Sequence, residues 1–259
     1  TLAIRVEVLM GSREHEGKIM RVLWLSPWLR TPARICAENL IALGVDVMLV
    51  TADLHPEADT VRRPYEAVLR GRPVPTADWV KIPKTYREAK RFDPDVVVTE
   101  YVRDPRWRIF GGLAPRICIW HDDKPHDETH TRSWWNRSFD PWDRRADATI
   151  VFSEYVAQRL RDTNATPSPI HVAPLLGDLE TSIVPDFVPS DLRENFLMIG
   201  RQRPYKNHEV VFAAWDAHTK GPAWRGDKLI LLGEGDIATP LPPHTTWRRD
   251  PYKYREVVD

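Results

Sequence analysis

The sequence predicts an α/β fold in which two lobes of parallel strands and crossover helices follow one another along the chain. Short continuous apolar runs alternate with helical stretches, which is typical of parallel strands buried on both faces. Glycines follow several of these strands and helices, at positions where the chain must turn. A proline-rich and acidic stretch near residue 180 interrupts the alternation, and its restart after that stretch indicates a second lobe.

The composition is that of a globular protein without a global electrostatic field. The 259 residues suffice for two modest domains, and 37 basic side chains balance 37 acidic ones. Net charge therefore gives no support for nucleic-acid binding, and any anion site must be local. Without an apolar run of about 18 residues or a signal-peptide pattern, we expect a cytoplasmic protein with no integral membrane segment.

The first lobe is expected at residues 20–174, after an N-terminal extension at 1–19 that fits poorly with the α/β pattern of the remaining chain. A strand at 21–25, a helix through about Leu43 ended by Gly44, and a strand at 45–50 form one unit, for which parallel pairing is the default. Residues 53–76 are polar and proline-rich and are predicted as loop. Ser153 is the predicted N-cap of a helix at 154–161; the other predicted elements are a helix at 86–92 and strands at 96–99, 116–120, 148–152 and 170–173.

The second lobe is expected at residues 191–259, beyond a linker at 175–190. Its first strand, at 196–199, runs into Gly200-Arg201, and Lys206 comes five residues after the arginine, where a helix at 207–218 is predicted to begin. The next strand, at 228–232, runs into Gly233-Glu234-Gly235. Glycine lets the backbone approach a ligand, a helix start offers free N–H groups, and two cations balance a diphosphate. The two strand ends are therefore predicted to face one anionic ligand.

With these motifs in order, the chain resembles the nucleotide-sugar glycosyltransferases of family 4, which retain anomeric configuration and have the two-Rossmann-lobe (GT-B) architecture. The resemblance covers about residues 20–236. It rests on five motifs: Gly200-Arg201 with Lys206-Asn207, Gly233-Glu234-Gly235, Pro94-Asp95 before a strand, His121-Asp122 after one, and Ser153-Glu154 before a helix.

The resemblance implies a hexosyltransferase that moves a sugar, with retention, from a nucleotide-diphosphate sugar to a small-molecule, glycan or lipid-linked acceptor. Arg201 and Lys206 would hold the diphosphate and stabilise the charge on the leaving nucleotide. Gly200 and the run Gly233, Glu234 and Gly235 would line the donor site. His121 would contact the transferred sugar or the acceptor. The donor is then a substrate, and neither a cofactor nor a catalytic metal is expected.

The chain departs from the family pattern in two places. Its first loop, at 26–32, lacks the usual pair of glycines. Residues 241–259 contain no counterpart of the acidic motif with which the family grips the donor sugar and ribose. We therefore expect an incomplete second lobe, and a truncated or inactive glycosyltransferase-like binding protein is the first alternative function.

Two other segments carry alternatives. The run from His121 to His130 has three histidines and four carboxylates, which could serve a metal-dependent hydrolase, although Pro125 interrupts any helical register. Residues 106–145 interleave tryptophans with arginines. Packing, acceptor recognition and single-stranded nucleic-acid binding are all compatible with that pattern.

Overall fold

The computed structural model describes residues 18–52, 61–69, 78–102, 104–122, 139–173, 195–237 and 239–249. The chain separates into two compact units, divided between Leu179 and Glu180. Most of the predicted extension 1–19, the linker 175–190 and residues 123–138 lie outside the described residues. Within the described part of the chain, no helix has the length and apolar character needed to cross a membrane.

The first unit is built on a seven-stranded parallel sheet. Its strands are β1 (Arg21–Ser26), β2 (Asp46–Ala52), β3 (Glu66–Leu69), β4 (Val96–Glu100), β5 (Arg116–Trp120), β6 (Ala148–Val151) and β7 (Ile170–Val172). Their spatial order is β3-β2-β1-β4-β5-β6-β7. The direction of winding thus reverses between β1 and β4, and such a switch point opens a crevice at the carboxyl ends of the strands.

Helices cover both faces of this sheet. They are α1 (Arg30–Ala42), α2 (Asp78–Phe92), α3 (Asp140–Arg144) and α4 (Glu154–Asp162), with a 3₁₀ segment at Pro105–Gly112. Trp24 and Val98 pack with α1 on one face, whereas Leu23 and Val97 pack with α2 and the 3₁₀ segment on the other. The central strands carry apolar side chains on both faces because successive side chains enter opposite cores.

The second unit has three parallel strands, β8 (Asn195–Ile199), β9 (Lys228–Leu232) and β10 (Thr245–Arg248), in the order β10-β9-β8. Helix α5 (His208–Thr219) connects β8 to β9. Phe212 and Trp215 of α5 pack on Leu229 and Leu231 of β9, which forms the core of this unit.

The α/β class is confirmed, and so are two local predictions. Gly44, which follows the Leu43 C-cap of α1, has a φ of 83°. The Ser153 hydroxyl accepts from the Val156 N–H at 3.2 Å as the N-cap of α4. The prediction of loop throughout 53–76 is wrong, because Glu66 begins β3. That strand starts with a carboxylate whose partners come from other elements, so it forms no continuous apolar run.

Other element boundaries also differ from the predictions. Helix α2 begins at Asp78 rather than near residue 86 and contains Pro83, a residue that ordinarily marks a helix end. Helix α5 begins at His208, so Lys206 lies in a preceding 3₁₀ turn (Pro204–Lys206) and not at the helix start. Strand β10, helix α3 and the longer 3₁₀ segment were not predicted.

Candidate functional site

A row of side chains stands at the carboxyl ends of the central strands of the first unit. Ser26, Glu100, His121 and Phe152 each follow, by two positions, an apolar residue that packs on the α1 face. Because alternate residues of a strand share a face, the four side chains continue that face beyond the core. The row spans the switch point between β1 and β4, where ligands bind in sheets of this topology.

His121 is held by two aromatic neighbours and by a carboxylate at one of its nitrogens. Its Nε2 lies 2.6 Å from Glu100 Oε1. The Tyr101 ring stacks on it with centroids 4.7 Å apart, and Phe152 meets it edge-on at 4.8 Å. The side chain keeps 17% of its exposure, so the ring is oriented by protein contacts and still reaches solvent.

Glu100 is a buried carboxylate at the end of β4. Its side chain is 4% exposed, and the indole N–H of Trp24 donates to Oε2 at 3.4 Å. Burial and the negative charge of Glu100 raise the pKa of the Cys36 thiol to about 12, so this thiol stays protonated. Tyr101 follows with a φ of 49°, a conformation that is uncommon for a bulky residue and that concentrates at functional sites.

A second buried carboxylate anchors the start of α1 in the first unit. The Glu66 side chain has no exposed surface and accepts from Arg30 at 2.7 Å, Arg34 at 2.6 Å and the Thr51 hydroxyl at 2.9 Å. Burial alone would raise the pKa of Glu66, but these hydrogen bonds and one from the Arg63 N–H outweigh it and lower the pKa to about 2. This cluster fixes the start of α1 against the carboxyl end of β2 and the first residue of β3.

In the second unit, two glycine turns meet at the carboxyl ends of β8 and β9. Gly200 and Gly233 have φ values of 121° and 120°, which favour glycine. The Gly200 N–H donates to Leu232 O at 3.0 Å, and the Gly233 N–H donates to Arg248 O at 2.9 Å. Three parallel strands therefore end side by side at the predicted donor site.

The buried side chain of Gln202 connects these two turns. It is 1% exposed, and its amide nitrogen donates to Gly200 O at 2.8 Å and Leu232 O at 3.1 Å. With both amide protons donated to carbonyls, its Oε1 can only accept, and His208 Nε2 lies 2.9 Å away. Burial lowers the pKa of His208, which keeps this ring neutral.

Arg201 and Lys206, by contrast, are exposed. A Cβ built on Gly200 would lie 4.0 Å from Lys206 Nζ, so the ammonium group turns back over the glycine turn. It also lies 5.2 Å from the centroid of the Tyr205 ring. The two cations are thus available to an anion, although Lys206 belongs to the 3₁₀ turn rather than to α5.

The predicted site residues fall into two groups. His121 lies in the first unit, whereas Gly200, Arg201, Lys206, Gly233, Glu234 and Gly235 lie together in the second, each group at the carboxyl ends of its own sheet. Sequence reasoning missed Glu100, Tyr101, Gln202 and His208. The one available signal was at Glu100, a carboxylate placed directly after a buried strand.

The described residues bear on the alternatives only in part. They contain no group of three or more histidine, cysteine or acidic side chains arranged to hold a metal ion, and most of the run from His121 to His130 lies outside them. In the arginine- and tryptophan-rich segment, the Arg116 guanidinium lies 4.0 Å from the Trp142 ring centroid, and Arg108 lies 4.1 Å from that of Phe139. These pairs are internal packing contacts.

Comparison with known proteins identifies the family to which the first unit is similar and the fold of the chain. A family model described as Glycosyltransferase Family 4 matches residues 33–180. No curated protein sequence matches the chain significantly. Similar solved structures share 11–13% of their residues with this chain, so they report on the fold alone.

Three of these structures share the architecture. Anabaena HepE, solved in complex with UDP-glucose, superposes with a TM-score of 0.57 at 11% identity, covering 92% of this chain and 71% of HepE. A glycosyltransferase from Rickettsia africae gives 0.57 at 13% identity, with 93% and 70% covered. The UDP-N-acetylglucosamine 2-epimerase of Rickettsia bellii gives 0.54 at 11%, with 93% and 71% covered. The predicted GT-B fold, with two Rossmann-like lobes, is thereby confirmed.

Proposed function

This chain belongs to glycosyltransferase family 4, and from that premise we propose that it transfers a hexose from a nucleotide-diphosphate sugar to a hydroxyl group of an acceptor, with retention. The observation that carries the proposal is the end of the second sheet. There, two left-handed glycine turns, a buried glutamine and two exposed cations meet at adjacent strand ends.

The second unit supports the choice of a diphosphate as ligand. Gly200 and Gly233 have no side chains, so an oxyanion can approach the backbone at these turns. Arg201 offers a planar fork of N–H donors, and Lys206 offers a compact ammonium group beside the same turn. Charge-assisted hydrogen bonds of this kind are about twice as strong as neutral ones, and they strengthen as negative charge gathers on the leaving nucleotide.

In the reaction we propose, the bond between the anomeric carbon and the diphosphate oxygen breaks, and the acceptor oxygen takes that carbon on the same face. The acceptor's hydroxyl proton passes to the departing diphosphate oxygen, and the nucleotide leaves as a diphosphate. Arg201 and Lys206 lower the energy of that leaving group, and no metal ion is needed at the diphosphate. His121 contacts a hydroxyl of the transferred sugar or of the acceptor.

Radiolabelled nucleotide sugars test whether the chain uses such a donor. The purified 259-residue chain is incubated with UDP-, GDP- and ADP-hexoses, and release of free sugar or label transfer to a panel of glycan and lipid acceptors is measured. Turnover that disappears in Arg201→Ala and Lys206→Ala supports the proposal. Binding of a nucleoside diphosphate without turnover of any donor would identify the alternative, a glycosyltransferase-like binding protein.

A further inference from the structure

The hydrogen bond between the buried Glu100 and the partly exposed His121 has a direction that its geometry determines. An ionised carboxylate can only accept hydrogen bonds, so the 2.6 Å contact requires a proton on His121 Nε2. In the neutral imidazole ring, the other nitrogen, Nδ1, then carries the lone pair. Among the described residues, none hydrogen-bonds Nδ1.

The surroundings give this pair little freedom to change its arrangement. The Trp24 indole N–H donates to the second oxygen of Glu100, which orients the carboxylate. Tyr101 and Phe152 restrain the imidazole ring through one stacked and one edge-on aromatic contact. A ring flip of His121 would give up the hydrogen bond to Glu100 and leave a buried carboxylate oxygen without a donor, which disfavours the flipped ring.

The geometry points to Glu100 as a positioning residue that holds His121 as the Nε2–H tautomer, so that Nδ1 accepts a hydrogen bond from a sugar hydroxyl. The nature of that ligand rests on the proposed function, whereas the tautomer does not. A ligand that hydrogen-bonds Nδ1 must present a donor, which on a sugar is an O–H group. Replacing that hydroxyl by hydrogen or fluorine removes the donor and weakens binding.

The tautomer is measured on the whole chain labelled with ¹⁵N at its nine histidines. Two-bond ¹H–¹⁵N correlation spectra separate the two neutral tautomers, and the spectrum of His121→Asn assigns the signal. We expect the Nε2–H pattern in the wild type. A wild-type spectrum showing the Nδ1–H tautomer overturns the inference whatever the activity, and absence of turnover with the expected tautomer counts against the proposed function instead.

Glu100→Gln supplies the functional test, because the amide can both donate and accept and no longer dictates the tautomer. We expect a mixed tautomer signal. For the nucleotide hexose that the wild type turns over best, kcat/KM should fall about tenfold, which is the effect expected from misorienting one hydrogen bond. The loss should be much smaller for donors lacking the recognised hydroxyl. Equal loss for all deoxy and fluoro donors, with an unchanged His121 signal, would show a merely structural role and overturn the inference.

A second carboxylate–histidine pair provides the matched control. His218 Nε2 lies 2.7 Å from Asp227 Oδ2 in the second unit, beside the amino end of β9 and remote from the glycine turns. Asp227→Asn should alter the His218 signal alone and leave kcat/KM unchanged. Trp24→Phe, which keeps Glu100 intact, should retain the His121 tautomer with a broadened signal; an Nδ1–H signal in that variant would contradict the inference.

Discussion

Gly235 lies so close to Gln202 that a side chain cannot fit between them. A Cβ built on Gly235 would stand 1.9 Å from the Gln202 carbonyl oxygen, and the glycine has a φ of 144°. The two residues form an isolated parallel bridge, and the Gln202 N–H donates to Glu234 O at 2.7 Å. The backbone segments after β8 and β9 are therefore joined directly at the proposed diphosphate site.

Gly235→Ala should destabilise the second unit by about 1–3 kcal/mol, because the added methyl group meets backbone and the φ is strained for alanine. Chemical denaturation measures the change. Gly112→Ala is the control, since a Cβ there meets nothing within 4 Å. Equal stability of the two variants would show that the segments after β8 and β9 can separate easily.

Lys206→Ala should weaken nucleoside-diphosphate binding by about 1.5–3 kcal/mol, because it removes a charge-assisted contact to phosphate. Isothermal titration calorimetry gives the affinity. Lys220→Ala is matched in charge but removes a lysine that pairs with Asp216 at the end of α5, and it should bind like the wild type. An unchanged affinity in Lys206→Ala would remove this residue from the proposed site.

Gln202→Leu should cost about 1–3 kcal/mol of unfolding free energy, because it leaves buried polar groups on His208 and Gly200 without their partner. The comparison is Gln158→Leu, which removes only an exposed contact to Asp162 and should change stability by about 0.5 kcal/mol or less. If both substitutions have the same small effect, the buried network does not hold the glycine turns.

The His208 ring predicts a pH dependence of stability. Burial lowers its pKa in the folded state below the ordinary value of 6.5, so the unfolded chain binds this proton first as the pH falls. Stability is therefore lost as the pH drops below about 6.5, down to the folded pKa. His208→Leu should lose less stability than the wild type between about pH 7 and pH 5, as measured by thermal unfolding. Identical pH slopes would contradict the prediction.

The lowered pKa of Glu66 predicts a second loss of folding stability, at a lower pH. Its pKa is lowered from 4.5 to about 2 in the folded state. Its contribution to the free energy of unfolding is therefore complete above about pH 4.5 and is lost as the pH falls toward 2. Glu66→Gln should cost about 3–5 kcal/mol at neutral pH, since it leaves Arg30 and Arg34 buried without a counter-charge.

The control for this substitution is Glu88→Gln, which affects only a contact of 3.9 Å with Lys84 on the surface of α2. It should change the unfolding free energy by less than about 1 kcal/mol. A similar effect of the two glutamine variants in urea titrations would mean that the Glu66 cluster does not anchor α1.

The strands that sequence reasoning found were those with continuous apolar runs. Strand β4 is buried along its whole length, and its local composition is sufficient to identify it. Strand β3 was missed because the charge of Glu66 is balanced by arginines from α1. These arginines lie more than 30 residues away in the sequence, so the residues around Glu66 do not reveal them. The glycines of the second unit were found because a strand that runs into glycine is a local pattern, and the structure shows both in the left-handed region.

The side chains that act together were much harder to predict. Glu100 and His121 are separated by 21 residues, and Gln202 reaches Leu232 across 30. Gln202 and His208 look like ordinary polar residues in a turn, and only their burial shows what they do. Sequence reasoning therefore identified the exposed cations of the candidate site and missed the buried groups beneath them.

The sequence by itself determined the class of the fold, the position of most strands and the glycine turns, because apolar runs and backbone freedom are local properties. Only the tertiary structure decided which polar groups meet. A strand's neighbours in a parallel sheet come from distant parts of the chain, and the register between them sets every contact at their carboxyl ends. The pairing of Glu100 with His121 is the clearest product of that register.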